Sequence, residues 1–200
     1  MKKTFLSIII FLTLTLDVFS HVEHYKKLTF LEYELFRNNQ SIGYHNYNFI
    51  RDKEILTVKS EVKFKITKLG VDLYKYYAES TEEYKDDQFS SFTSKTNQNK
   101  KEKYVNINLS NDKSKLNIDG SSYKGDADKD LIVGTWWNHQ IIKARAQISA
   151  ISGRIIEQEV TFVGKEEIKI GDKVYKTLHF NFKSSDKSLP ENKKLNTDIW

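Results

Sequence analysis

Five histidines, one carboxylate cluster and a dense set of aromatics are the residues here with chemistry to offer. His21 and His24 stand in a His-Val-Glu-His run. In a mature chain starting at His21, the α-amine and imidazole could bind one metal, and His24 could add a second imidazole. Such a nitrogen-rich set favours copper. Both are weak candidates, because a free terminus frays and the pattern supplies no further ordered ligand. No metal and no other cofactor is expected. His45 lies in a strand-like stretch beside Tyr44 and Tyr47; it could meet a ligand, but a structural hydrogen bond is the simpler role. His179 alternates with Thr177 and Asn181, which places it on a polar face. His139 follows Asn138 and could face a cavity mouth.

Glu79, Glu82 and Glu83 form the carboxylate cluster. On a strand, Glu79 and Glu83 share one face and Glu82 takes the other. Two acids can divide acid and base roles when their pKa values are split. With Lys75 and Lys85 at hand, a solvated strand face is the preferred reading. The serine pairs at 90–91, 121–122 and 184–185 lack the strand–turn–helix setting of a nucleophile, and no glycine loop is built to cradle phosphate. No catalytic residue is assigned, and an enzymatic role ranks last. The aromatics are the strongest pointer to a ligand. Tyr74 and Tyr76 share one strand face, and Tyr77 lies opposite with Leu73. With Trp136 and Trp137 they offer apolar area plus polar handles, which suits a lipid or saccharide. The plainer role is packing a sheet against a short helix.

Composition bounds the elements that must position these groups. The 200 residues suit one domain. The absence of Cys excludes disulfide scaffolds, thiolate metal sites and a lipidated cysteine. Met1-Lys2-Lys3 precedes a run of apolar and hydroxyl residues, Phe5 to Leu16, too short to span a bilayer. Residues 1–20 therefore read as a signal peptide and 21–200 as a single β-rich domain. The expected address is exported, periplasmic or secreted, soluble and not a lipoprotein, with no transmembrane helix after cleavage. The formal charge of +5 is a weak surplus carried mostly by Lys. Nucleic-acid binders favour Arg for bidentate phosphate contacts, so no nucleic acid is expected.

After Leu28 the dominant period is two. Leu31, Tyr33 and Leu35 alternate with Glu32 and Glu34. Leu56, Val58, Ser60, Val62, Phe64 and Ile66 oppose Lys59, Glu61, Lys63 and Lys65. Asn38-Asn39 and Asp86-Asp87 mark turns, and Gly171-Asp172 marks a hairpin. Residues 97–103 and 119–130 read as polar connections. Trp137, Ile141 and Ala144 have helical spacing, which predicts a short helix over 135–143. The last strand, from Leu195, runs into Trp200 without a polar tail, so further strands are expected beyond it.

Several landmarks carry a resemblance: Ile42-Gly43 with His45; Glu82, Tyr84 and Asp86; Thr96-Asn97; Thr135, Trp137 and Asn138; Gly153; and Asp198-Ile199-Trp200. In this order they resemble an exported bacterial family of unknown function. The resemblance implies a curved antiparallel sheet similar to the half-barrels of periplasmic lipoprotein carriers, and no established activity. The combined expectation is a mainly β fold, a curved antiparallel sheet or half-barrel with one short helix, C-terminally truncated. Its expected role is non-catalytic binding of a lipid-like or amphiphilic ligand on the concave face. The candidate ligand-binding residues are Trp136, Trp137, Tyr74, Tyr76, His45 and Asn138. A structural or interaction module for an envelope protein is the alternative.

Overall fold

The computed structural model describes residues 25–200. Residues 1–20, read from the sequence as a signal peptide, lie outside the described residues, as do His21 and His24. From Phe30 the chain forms β1 (Phe30–Arg37), β2 (Gln40–Asp52), β3 (Ile55–Lys68), β4 (Val71–Lys85), β5 (Gln88–Gln98), β6 (Lys101–Leu109), β7 (Lys115–Gly120) and β8 (Lys124–Asp128). Each pairs antiparallel with the next, giving an eight-stranded open half-barrel in simple meander order. Two-residue turns make this possible. Asn38-Asn39, Asp86-Asp87 and Asn99-Lys100 all adopt positive φ, which matches the twist of the strands they join. Asn and Asp tolerate that conformation best among residues with a Cβ.

Three expectations need correction. Residues 97–103 are mostly strand, interrupted only at Asn99-Lys100. Residues 119–130 contain β8, whose polar side chains conceal an edge strand paired along its length with β7. The short helix is a 3-10 turn confined to His139–Lys143, with Asn138 as its cap.

The remaining strands are β9 (Ile132–Val133), β10 (Ala146–Ile148), β11 (Ile155–Ile170), β12 (Lys173–Ser184) and β13 (Asn196–Ile199). They form a second sheet in the order β13-β12-β11-β10-β9, with β9 and β10 parallel. The β11–β12 hairpin closes at Gly171-Asp172, where Gly171 supplies a φ of +58°, and carries a bulge between Phe162 and Gly164.

The core sits where the second sheet meets the concave face of the first. Phe92, Val105, Ile107, Leu116 and Ile118 pack under Leu131, Val133, Ala146 and Ile148. A second cluster gathers Tyr47, Phe49, Leu56, Val58 and Tyr84 around Trp137. The even-numbered face of β3 foreseen from its alternation is the concave one, and its lysines point away. Gly43 permits the close pairing of β2 with β3: a Cβ there would stand 2.0 Å from the Lys63 carbonyl oxygen and 2.6 Å from Phe64 Cα.

Candidate ligand groove and the buried carboxylate beside it

Register sorts the concave face into cross-strand rows. One row is Phe49, Val58, Glu82, Phe92 and Ile107. The next is Tyr47, Ser60, Ser80, Ser94 and Val105. Then come His45, Val62, Ala78, Thr96 and Lys103, followed by Gly43, Phe64, Tyr76, Gln98 and Lys101. Large side chains in the first and last of these rows therefore flank two rows whose centres are Ser, Ala and Thr. Small residues between large ones leave a hollow, and a groove of about 460 Å³ lies there.

Phe64 stacks on Tyr76, 4.8 Å between centroids, and on Tyr74 at 5.8 Å. These rings wall one end. Gly134, Thr135, Trp136, Ala150 and Ile151 complete the lining from the covering segments. Ser94 holds that cover down by donating its hydroxyl to the Ala150 carbonyl at 2.5 Å. Trp136 adopts φ +66°, which is costly for a bulky residue. This turn of the backbone separates two adjacent indoles. Trp136 lines the groove and meets Phe182 edge-on at 5.4 Å, whereas Trp137 points into the core at 5% exposure.

His45 stands on the groove floor with its Nε2 2.9 Å from Ser60 Oγ and its Nδ1 3.5 Å from the Tyr47 hydroxyl. Tyr47 donates to the Thr135 carbonyl, so Nδ1 is best assigned the proton and Nε2 accepts from Ser60. Burial lowers the imidazole to about 4, which keeps it neutral at pH 7. Burial likewise pushes the Tyr76 phenol up to about 12. The groove thus offers apolar walls and neutral polar groups on its floor.

In the neighbouring row, Glu82 is only 3% exposed. Its Oε1 accepts from the Tyr84 hydroxyl at 2.5 Å, and its Oε2 accepts from Trp137 Nε1 at 2.8 Å and Thr135 Oγ1 at 3.0 Å. Asn138 Nδ2 in turn reaches Tyr84 Oη at 3.4 Å. Burial raises the Glu82 carboxyl above its ordinary value, and the three donors partly oppose that rise. The cluster pins residues 135–138 to the sheet. This overturns the solvated-face reading of Glu82. The signal was in the sequence: even numbers from Tyr74 to Tyr84 share a face, so Glu82 belongs with Tyr74 and Tyr76.

Of the residues proposed to contact ligand, Tyr74, Tyr76, His45 and Trp136 line the one groove. Trp137 and Asn138 do not line it. Trp137 packs edge-on against Tyr25, Phe49 and Tyr84, and Asn138 accepts from Gln140 N at 3.0 Å to cap the 3-10 turn. Tyr77 is on the outer face, as expected. His139 packs with Tyr25, Nδ1 to Oη 2.7 Å, away from the groove. His179 lies on a polar face between Glu166 at 2.9 Å and Asp198 at 3.0 Å, which hold its imidazole above the ordinary histidine range. Among the described residues, no group of three or more metal-ligating side chains could hold a metal ion. No helix among them is long and apolar enough to cross a membrane.

Seven of the landmark residues converge. Glu82, Tyr84, Thr135, Trp137 and Asn138 belong to one hydrogen-bonded cluster, with His45 and Thr96 on the adjoining groove floor. A family model described as Domain of unknown function (DUF6134) matches residues 33–200. No curated protein and no solved structure matches the chain.

Proposed function

The chain belongs to the DUF6134 family, and from that premise we propose that it is an exported, non-catalytic protein that holds a lipid-like or amphiphilic ligand in the concave groove. The single observation that carries this reading is the groove itself: aromatic walls of Phe64, Tyr74, Tyr76 and Trp136 over a floor of Ser60, Val62, Ala78, Ser80 and Thr96. Its volume falls within the range usual for small-molecule sites, roughly 300–1,000 Å³. Apolar walls with a few neutral polar groups suit a ligand that is largely hydrocarbon. Glu82, with both oxygens engaged by protein donors, is read as a structural carboxylate. Export is supported by the basic start and apolar run of residues 1–16.

The test is a titration of the full mature chain with dodecylphosphocholine below its micelle concentration, followed by tryptophan emission. Saturable binding that is lost in Ser80→Phe, which fills the floor, supports the reading. A linear response identical in both proteins refutes it.

A second reading, an interaction module of the cell envelope, is favoured by one face of β11–β12. Phe162, Leu178 and Val174 are all at least half exposed there. A defined complex with an envelope protein that survives Ser80→Phe and is lost in Leu178→Asp would favour it over ligand carriage.

A further inference from the structure

At one end of the half-barrel, the β1–β2, β3–β4 and β5–β6 turns come together. Asn99 in the last of them accepts from Lys75 N at 2.8 Å and donates to the Leu73 carbonyl, and Arg37, Asn38, Lys65, Lys68 and Leu73 line a common surface depression. The three turns differ in one respect. Asn38-Asn39 and Asn99-Lys100 begin on asparagine, but the β3–β4 turn begins on Leu69, at φ +51° and 94% exposed. A leucine in that conformation costs about 1 kcal/mol or more, and no apolar contact offsets it at such exposure. Val71 and Leu73 beside it are 61% and 55% exposed. Nearest this apolar tip stand Arg37 and Lys68, with Lys65 just behind them, while Lys100, Lys101 and Lys103 lie further back on the same end, level with Lys75 to Ala78. Of the acids at this end, Asp72 is paired with Lys75 at 3.0 Å, and Glu102, hydrogen-bonded to the neutral Asn97, keeps its charge but is outnumbered, so cationic charge prevails.

We propose that this end of the half-barrel docks on an anionic bilayer surface, with Leu69 and Val71 entering the lipid and the surrounding Lys and Arg meeting the headgroups. Charge complementarity selects the partner: exposed Lys is attracted to anionic lipid, and aliphatic side chains in the interface add apolar burial. The groove's aromatic wall, Phe64, Tyr74 and Tyr76, lies in the register positions nearest these turns. Lys103 and Lys101 continue the groove rows through Thr96 and Gln98. A docked protein would therefore present its groove to the membrane. The use of docking for ligand transfer rests on the groove reading; the docking itself does not.

The experiment is co-sedimentation of the full mature chain with vesicles of phosphatidylcholine alone or with one third phosphatidylglycerol. Binding is expected to the anionic vesicles only, weakening at about 1 M salt, where the Debye length is about 3 Å. The Leu69→Ser/Val71→Ser variant should bind about tenfold or more weakly with an unchanged melting temperature, and Ser80→Phe should bind as the wild type does. Undiminished binding by the Leu69/Val71 variant overturns the proposal, as does failure to bind either vesicle. Failure here alongside saturable dodecylphosphocholine binding would leave the groove reading standing and remove only the membrane.

Discussion

Replacing Glu82 separates what its charge does from what its acceptors do. The carboxylate takes three hydrogen bonds, from Tyr84, Trp137 and Thr135. In Glu82→Leu the Thr135 hydroxyl can still turn to the Val133 carbonyl, 3.5 Å away. The Trp137 N–H and the Tyr84 O–H lose their acceptor. At about 1–3 kcal/mol for each stranded buried group, the variant should lose roughly 2–6 kcal/mol. Glu82→Gln keeps one oxygen for Trp137 and Thr135 and turns its amide toward Tyr84 Oη, so it should lose much less.

The two proteins also differ with pH. The folded Glu82 carboxyl titrates above its unfolded value, so between those two values the folded state holds more protons than the unfolded one. Its contribution is therefore fully present below the unfolded pKa and is lost as pH rises through the folded one. Glutamine has no such dependence. The stability difference between wild type and Glu82→Gln should shift against the wild type as pH rises from the unfolded glutamate value through the raised folded one. Urea denaturation of both proteins across that range measures it. A difference that is flat with pH, or a Glu82→Leu protein as stable as wild type, would show that burial does not dominate this carboxyl and that the cluster does not pin the 135–138 segment.

The two adjacent tryptophans should behave oppositely. Trp137→Ala should cost about 3–5 kcal/mol in thermal or urea unfolding, whereas Trp136→Gly, which relieves the positive φ, should change stability by about 1 kcal/mol or less while weakening dodecylphosphocholine binding. Gly43→Val should lower the melting temperature sharply, because the new Cβ would collide with the Lys63 carbonyl. In a histidine-resolved NMR titration, His45 should remain neutral down to about 4, while His179 titrates above the ordinary histidine value. The His45 contribution to stability should be present above the unfolded histidine pKa and fade as pH falls through the folded one. The His179 contribution runs the other way, being lost as pH rises through its raised pKa.

The legible parts of the fold were those where burial alternates along one strand. β3 is the clearest case, since its even face is apolar and its odd face is Lys and Glu. The Asn and Asp turns were also legible, because positive φ restricts which residues serve there. Lys101 to Lys103 and Lys124 to Asp128 were not. These segments are strands because a neighbour supplies backbone hydrogen-bond partners, and backbone pairing leaves no hydrophobic signature. The spacing of Trp137 and Ile141 did report burial, but a 3-10 turn after an extended segment produces the same spacing as a helix. Of the groove, the shared face of Tyr74 and Tyr76 was legible from parity. Which of Trp136 and Trp137 turns outward was not, since it depends on a backbone conformation that tryptophan rarely adopts. The hollow itself was hidden, because Ser60, Ala78, Ser80 and Thr96 become adjacent only once three strands are in register.

The central claim is that this hollow holds a largely hydrocarbon ligand. Native mass spectrometry of the protein taken gently from its own cells tests it most directly, with Ser80→Phe prepared in parallel. A lipid-sized mass carried by the wild type and absent from the variant is expected. An empty wild-type protein, or an adduct carried equally by both, would contradict it.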